Sequence, residues 1–204
     1  MHIEFLVEEP STEVFLTSFI PKVFGTSVTF AIHVFQGKPD LLKKLPTRLK
    51  GYAAWIPDDW RIVVLLDADN DNCRELKSHM DMLAENAGLV TKTSAGLNGR
   101  FQILNRIAVE ELEAWFFGDI YAIKAAYPKI SLNIINQTGY REPDAIRGGT
   151  AEALERVLKR AGYHSGGLAK IAAARDIANH IDPQRNCSPS FRVFVNGLES
   201  ALER

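Results

Sequence analysis

Asp67 and Asp69 are the residues of this chain whose type and spacing point most directly to chemistry. They follow the most apolar run of the sequence, residues 62–66. If that run is a strand, the i, i+2 spacing points both carboxylates to the same side. Two carboxylates held so close repel each other unless a cation neutralises them. Mg²⁺ or Mn²⁺ suits such a site, because hard oxygen ligands bind these ions and a phosphate can replace their remaining waters.

The alternative is a loop whose acidic residues only cap the next helix. We prefer that interpretation for Asp71 and Asn72, which stand directly before the helical pattern that follows. For Asp67 and Asp69 we favour metal binding, although an Asp-x-Asp pattern is common and carries little specificity by itself.

Glu8 and Glu9 follow another apolar run, residues 3–7, and Glu13 comes one helical turn later. In a parallel sheet the first and third strands can be neighbours, so their acidic ends would meet at one cation cluster. Successive strand residues face opposite ways, so only one of Glu8 and Glu9 can point directly into that cluster. Stabilisation by a helix N-terminus explains Glu13 fully and Glu9 in part, without any metal.

A third acidic group lies in the segment EELEAWFFGD, residues 110–119. Its apolar residues form one helical face and leave Glu111, Glu113 and Asp119 to point elsewhere, which an amphipathic surface helix would explain by itself. The β-prone segment before it, however, would place the start of this helix at the carboxyl edge of the sheet. Glu111 and Glu113 are therefore candidate metal ligands, with Glu113 the candidate for a second ion.

The elements that must position these acids alternate along the chain. Apolar, β-prone runs are predicted at four places, with helical segments between them: residues 3–7, 27–35, 62–66 and 101–109. The order β-α-β-α-β-α-β favours a mainly parallel sheet with helices on both faces. Ligands bind such sheets at the carboxyl ends of the strands, which is where the acidic residues lie.

The pattern changes after residue 127, where Gly, Pro and helix-forming stretches replace the strands. Three helical stretches are predicted there, at residues 150–161, 168–181 and 189–202. We therefore expect an α/β domain at residues 1–127 and a helical C-terminal extension, packed on it, at residues 128–204.

Composition excludes several classes of protein. The 204 residues include 24 Lys and Arg against 25 Asp and Glu, so a protein that coats nucleic acid by bulk charge is excluded, although a local basic groove is not. No apolar run approaches the ~20 residues of a membrane span, and the N-terminus lacks a signal-peptide pattern. We therefore expect a cytoplasmic protein. Two cysteines are too few for a disulfide framework, and the usual phosphate-loop and dinucleotide motifs are absent from the sequence.

Five segments that follow one another over nearly the whole chain carry a family resemblance: FLVEEPSTEVFL, GKPDLLKKL, VVLLDADNDNCRELK, RIAVEELEAWFFGD and a helical tail ending in SPSFRVF. This series resembles the bacterial family called domain of unknown function 4276. That family is similar to the Toprim domains of topoisomerases, primases and OLD-family nucleases. The resemblance implies a Toprim-like, Rossmann-type α/β fold in which a strand-end Glu and an Asp-x-Asp hold Mg²⁺.

The resemblance assigns Asp67 and Asp69 to the Asp-x-Asp of Toprim domains. OLD-like nucleases often carry a second acid four residues after the first Glu, and Glu9 and Glu13 have this spacing. The Toprim Glu is usually followed by Gly, whereas Pro follows Glu9 here and Glu8 precedes it. The pattern leaves open which of the two glutamates is the ligand.

The activity that the resemblance implies is cleavage of phosphodiester bonds. OLD-like nucleases place a Lys of their C-terminal portion near the scissile phosphate, and Lys170, in GGLAKIAAA, matches by position. Two cations about 3.5–4 Å apart would activate a water molecule and stabilise the leaving oxygen, while Lys170 would offset charge on the transition state. Glu8 or Glu9, Asp67, Asp69 and Lys170 are then the catalytic set.

Members of this family tend to lie beside a gene for an AAA or ABC-type ATPase, often in defence contexts. The resemblance thus implies a Mg²⁺-dependent DNA nuclease that acts with an ATPase partner in phage or plasmid defence. The alternative is a non-catalytic metal-binding partner or regulator of such an ATPase; the completeness of the acidic cluster favours the enzyme. A homodimer is a further expectation. Five basic residues could form a DNA-facing helix face, or only a solvated one: Lys38, Lys43, Lys44, Arg48 and Lys50.

Overall fold

The computed structural model describes residues 1–96 and 99–202. Strands and helices alternate in the first part of the chain, which confirms the predicted β-α-β-α-β-α-β order. The elements are β1 (His2–Val7), α1 (Pro10–Phe24), β2 (Thr29–Val34), α2 (Lys38–Trp55), β3 (Trp60–Asp67), α3 (Cys73–Asn86) and β4 (Ile103–Ala108). Within these described ranges, no helix combines the length and hydrophobicity that crossing a bilayer requires.

The strands form one parallel sheet in the order β2-β1-β3-β4. Val7 of β1 is in register with Val34 of β2 and Leu65 of β3, and Asp67 of β3 is in register with Ala108 of β4. From β1 the chain continues to β2 at one edge of the sheet, and from β3 it continues to β4 at the opposite edge. The junction of β1 and β3 is the switch point at which parallel α/β sheets form their ligand crevice.

Strands β1, β3 and β4 are buried on both faces, as their apolar residues require, whereas β2 at the edge is only partly buried. Alternate residues of each strand face opposite helix layers. Phe5 of β1 and Val63 of β3 pack on the face that α1 covers, whereas Leu6 of β1 and Val64 of β3 pack on the face that α2 and α3 cover. The continuous apolar run of β3 thus supplies both halves of the core, and the strand ends where the first carboxylate, Asp67, begins the site.

After β4 the described residues form helices and no further strand, as predicted for the C-terminal part. The α-helices are α4 (Glu113–Phe117), α5 (Ile120–Ala126), α6 (Thr150–Arg160), α7 (Lys170–Ala178) and α8 (Pro189–Leu202). Helix α7 packs on α1, and α8 packs on β4. The Trp115 ring of α4 meets Phe15 of α1 and both Phe191 and Phe194 of α8. These helices share one hydrophobic core with the sheet, and the domain boundary at residue 127 stays a prediction.

Replacing Phe191 by Ala should destabilise the protein strongly, because this ring lies fully buried between Phe19 of α1 and Trp115 of α4. We expect the free energy of unfolding to fall by about 3–5 kcal/mol, measured by denaturant titration. Val193→Ala is the matched control, because Val193 lies on the same helix with half of its side chain exposed. A cost below about 1 kcal/mol for Phe191→Ala would mean that α8 is not part of the common core.

Candidate functional site

Glu8 and Asp67 meet at the switch point of the sheet. Glu8 directly follows β1, and Asp67 is the last residue of β3. The Glu8 carboxylate accepts a hydrogen bond from the backbone N–H of Asp67 at 3.2 Å. Of the two adjacent glutamates, Glu8 is therefore the one that contacts the predicted Asp-x-Asp. Glu9 is the N-cap residue directly before α1, and its carboxylate accepts a hydrogen bond from the Ser11 hydroxyl.

Asp67 is a buried carboxyl group surrounded by other acids. Only 5% of the residue is exposed. Burial raises its pKa well above the usual range, and the charges of Glu8, Glu113 and Glu9 raise it further, while Lys170 opposes them. Burial likewise raises the pKa of Glu8 to about 7. Negative charge at this point of the fold is therefore destabilising unless a proton or a cation neutralises it.

Glu113 approaches Asp67 from the start of α4. The residue is fully buried, and within the described part of the chain both of its carboxylate oxygens lack a hydrogen-bond partner. Burial raises the pKa of Glu113 to about 7; Lys170 opposes the rise and Glu111 adds to it. A buried carboxylate without donors is costly. Its oxygens therefore suit a proton or a cation.

Lys170 brings a positive charge to these acids from the start of α7. Burial disfavours its ammonium form, but Glu113, Glu9, Glu111 and Asp67 outweigh that effect and raise the pKa of Lys170. The group therefore stays charged at neutral pH. Its Nζ lies 3.3 Å from a carboxylate oxygen of Glu111. Lys170, assigned from the family resemblance alone, thus lies beside the acidic residues.

Glu111 joins three elements and is not a free carboxylate. One oxygen faces Lys170, and the other accepts hydrogen bonds from the Ala151 N–H at 2.8 Å and the Thr150 hydroxyl at 3.1 Å. Both donors belong to the first turn of α6, where a negative charge is stabilised. The structure therefore gives Glu111 a positioning role, and its predicted role as a metal ligand is untested.

Asp69 departs from the geometry that its spacing suggested. The strand ends at Asp67, and Asp69 adopts a left-handed conformation with φ of 49°, so the alternation of an extended chain does not extend to it. Its carboxylate is about half exposed and lies 2.8 Å from the Lys38 ammonium. Asp69 still acts on the neighbouring site, because its charge contributes to the raised pKa of Glu8.

Lys38 is the main residue whose place beside the acidic loop the sequence did not predict. The sequence grouped it only with the basic residues of a helix face. Its ammonium contacts Asp69 and Asp71 at 2.8 Å each and donates to the Ala68 carbonyl at 2.9 Å. Gly37, with φ of 85°, makes the turn before it. The signal available in the sequence was a lysine at the predicted carboxyl end of β2, beside the acidic loop.

The helix-cap alternative is correct for one residue of this loop. Asn72 caps α3, because its side-chain oxygen accepts from the backbone N–H groups of Arg74 and Glu75. Asp71 pairs with Lys38 and does not serve as that cap. Glu13 lies in the first turn of α1 with a partly exposed side chain, and its role as a metal ligand stays a prediction.

These acids do not form a ready-made metal site. Across residues 1–96 and 99–202, no three carboxylate, imidazole or thiol groups lie close enough together to hold an ion. The chemistry of the group nevertheless fits a cation: Glu8, Asp67 and Glu113 have raised pKa values, and the Glu113 oxygens have no donor in the described structure. Binding of a cation would therefore require side-chain movement toward it.

The four-stranded parallel sheet, with helices on its faces and after it, has a Toprim-like α/β fold. The chain belongs to the family described as Domain of unknown function (DUF4276), whose model matches residues 7–199. No curated protein sequence matches the chain.

Two solved structures share its fold. The C-terminal region of the Burkholderia pseudomallei OLD protein is 14% identical, with a TM-score of 0.50, and the match covers 98% of this chain and 97% of that one. The C-terminal region of the Xanthomonas campestris pv. campestris OLD protein is 16% identical, also with a TM-score of 0.50, over 98% and 96% of the two chains. The similarity therefore extends over both the sheet and the C-terminal helices.

Replacing Glu113 by Gln should stabilise the metal-free protein at alkaline pH. Burial raises the pKa of Glu113 from 4.5 to about 7, so its ionised form is the costly one in the folded state. The penalty is absent below the unfolded pKa, grows as the pH rises toward the folded pKa, and is constant above it. In EDTA at about pH 8, denaturant titration should give Glu113→Gln a free energy of unfolding about 1–3 kcal/mol above that of the parent.

Glu199→Gln is the control, because Glu199 is exposed on α8, and its effect on stability should not change through this pH range. A Glu113→Gln protein that is less stable than the parent at every pH would contradict the assignment. It would mean that the Glu113 carboxylate has a favourable partner in the folded state.

Proposed function

We propose that this chain is a Mg²⁺- or Mn²⁺-dependent Toprim/OLD-like nuclease that cleaves DNA together with an ATPase partner, in defence against phage or plasmids. The observation that carries the proposal is the buried acidic group at the switch point. Glu8, Asp67 and Glu113 share a site with a charged lysine, and the Glu113 oxygens lack donors among the described residues. A structural role alone would not favour this arrangement, because burying carboxylates without partners destabilises the fold.

Asp67, Glu8 and Glu113 would hold the metal, with Glu9 and Asp69 at the margin of the site. A divalent cation bound there would supply Lewis-acid activation of the phosphate and lower the pKa of a bound water. The raised pKa values of Glu8 and Glu113, both about 7, mean that the empty site carries protons that binding would release. When a metal binds, these carboxyl groups would lose their protons, and their side chains would move toward the ion.

Lys170 would bind the phosphate. Its ammonium is held charged by Glu113, Glu9, Glu111 and Asp67, so it can neutralise a phosphate oxygen as negative charge builds up in the transition state. Glu111 fixes its position, because the same carboxylate contacts Lys170 and the first turn of α6. In this role Glu111 positions the lysine and does not itself touch the substrate.

Lys38 would control the availability of Asp69. The Lys38 ammonium contacts Asp69, Asp71 and the Ala68 carbonyl, so Asp69 must leave this ion pair before it can turn toward a cation beside Asp67. The Asp69 side chain is about half exposed, whereas the Lys38 side chain is mostly buried. A cation that replaced Lys38 at Asp69 would not leave the ammonium unpaired, because Lys38 would keep Asp71 and the Ala68 carbonyl as partners.

The alternative function is a non-catalytic, metal-binding regulator of the ATPase. Within the described ranges no three ligand groups are already gathered for a metal, and this observation applies equally to both functions, so metal binding alone does not separate them. The ATPase partner itself is inferred from the family resemblance and from the absence of a phosphate-binding loop in this sequence. Cleavage separates the two functions, because the regulator would bind metal and the ATPase without cutting DNA.

Asp67→Asn, Asp69→Asn and Glu113→Gln should each reduce metal-dependent DNA cleavage, because each removes an oxygen charge available to the metal. We expect a loss of about 100-fold or more for Asp67→Asn. The measurement is nicking of supercoiled plasmid in Mg²⁺ or Mn²⁺, with and without the product of the neighbouring ATPase gene and ATP. Cleavage should be weak without the ATPase.

Glu75→Gln is the matched control, since Glu75 is an exposed acid on α3, just beyond the same loop. It should keep nearly full activity. Cleavage that persists in EDTA and in both aspartate variants would refute the proposed mechanism. Metal binding and ATPase binding without cleavage under any of these conditions would support the regulator.

A further inference from the structure

A groove separate from the acidic site runs along the edge of the sheet. It lies between β2 and α2, has a volume of about 1140 Å³, and extends from Gln36 and Asp40 at one end to Trp55 at the other. Helix α2 begins at Lys38, which contacts Asp69 and Asp71. One end of the groove therefore opens beside the proposed catalytic site, and the other lies a full helix length away.

The walls of this edge groove are suited to a polar, extended ligand. Strand β2 pairs with β1 on one side and is an edge strand of the described sheet, and its residues Ile32, His33 and Val34 line the groove. The α2 wall presents Lys43, Lys44 and Arg48, all exposed. Lys44 is paired with Asp40 at 2.7 Å, which leaves Lys43 and Arg48 as the main cations for an anionic ligand.

Arg48 is held in place by a chain of hydrogen bonds at the floor of the groove. Its Nη2 lies 2.8 Å from His33 Nδ1, and His33 Nε2 lies 2.5 Å from the Glu4 carboxylate. Arginine can only donate, so Nδ1 accepts, and the hydrogen of the neutral imidazole is on Nε2. Glu4 also accepts hydrogen bonds from Tyr52 at 2.8 Å and His2 at 3.1 Å. The Glu4 charge is thereby satisfied and does not act as a bare carboxylate toward an anion.

Trp55 presents a large aromatic surface at the far end of the groove. The residue is 55% exposed. Its ring is supported by Tyr52 at 5.6 Å and Trp60 at 5.5 Å between centroids. An aromatic ring that is held by its neighbours and open to solvent is a platform on which a flat ligand can stack. Nucleobases use such rings, with tolerance for sequence because each base has a π-face.

We propose that the edge groove binds a single strand of nucleic acid and leads it to the acidic site, an inference that rests on the proposed function for the fate of the strand. Lys43 and Arg48 contact phosphates, and a base stacks on Trp55. A duplex hides the faces of its bases, so Trp55 requires an unpaired base. Helix α2 has 18 residues, about 27 Å at ~1.5 Å per residue, which is long enough for a short single-strand site of about four nucleotides.

Fluorescence anisotropy with a labelled oligothymidylate of about 12 nucleotides, in EDTA and low salt, tests the groove without cleavage. Trp55→Ala should weaken binding about fivefold or more, because stacking on an aromatic ring contributes strongly per base. Trp55→Phe should retain most of the affinity. Tyr121→Ala is the control, because Tyr121 is 49% exposed on α5, outside the groove.

The charge contribution is tested with a matched pair of lysines on α2. Lys43→Gln should weaken binding and reduce the slope of log K against log salt concentration by about 0.7, the value for one phosphate contact with a single strand. Lys50→Gln removes the same charge from an exposed position that does not line the groove. It should leave both the affinity and the slope unchanged.

The groove proposal is wrong if the oligothymidylate does not bind, if Trp55→Ala binds it as well as the parent does, or if a duplex of equal length binds better. Binding of a poly-glutamate peptide in place of the oligonucleotide, with the same dependence on Trp55 and Lys43, would replace it with an acidic-peptide site. If binding depends on Trp55 but no cleavage is seen, the groove proposal stands and the nuclease proposal is wrong. If cleavage depends on Asp67 but no such binding is seen, the nuclease proposal stands and the groove proposal is wrong.

Discussion

Repulsion among buried carboxylates is the main physical constraint at the carboxyl edge of the sheet. The parallel order β2-β1-β3-β4 brings the ends of β1 and β3 together, and with them Glu8 and Asp67. Helix α4 begins just after β4 and brings Glu113 into the same buried region. The hydrophobic core fixes these positions, so the carboxylates cannot move far apart. The folded protein is therefore more stable when protons or cations neutralise these groups, and that requirement connects its topology to the proposed metal-dependent function.

The C-terminal helices supply the positive charge that partly offsets this repulsion. Helix α7 packs on α1 and places Lys170 beside the acids, while Glu111 joins Lys170 to the start of α6. One lysine balances one of the several negative charges, and the pKa values of Glu8 and Glu113 still rise to about 7. The extension is thus part of the site, in agreement with a fold similarity to OLD C-terminal regions that covers 98% of this chain.

The sequence predicted the features that local pattern encodes and missed those that depend on the tertiary fold. The apolar run before Asp67 predicted a buried strand. The end of that run predicted that the Asp67 carboxylate lies at the carboxyl end of the strand. The choice between Glu8 and Glu9 depended on the register of β1 with β3, which no local pattern contains. The left-handed turn at Asp69 and its pairing with Lys38 were hidden for the same reason. Lys170 was found only through the family resemblance, because its contact with Glu111 spans 59 residues.

Thermal unfolding of the intact protein during a Mn²⁺ titration shows whether the buried carboxylates bind a cation, because it measures metal binding without requiring substrate or partner. The parent should gain stability with Mn²⁺, by ~2.7 kcal/mol at a free concentration ~100 times the dissociation constant. Asp67→Asn removes a repelling charge, so without metal it should melt at or above the parent temperature, and it should lose most of the response. A parent that shows no shift at millimolar Mn²⁺, or an Asp67→Asn protein that responds equally, would contradict the claim that these carboxylates form a metal site.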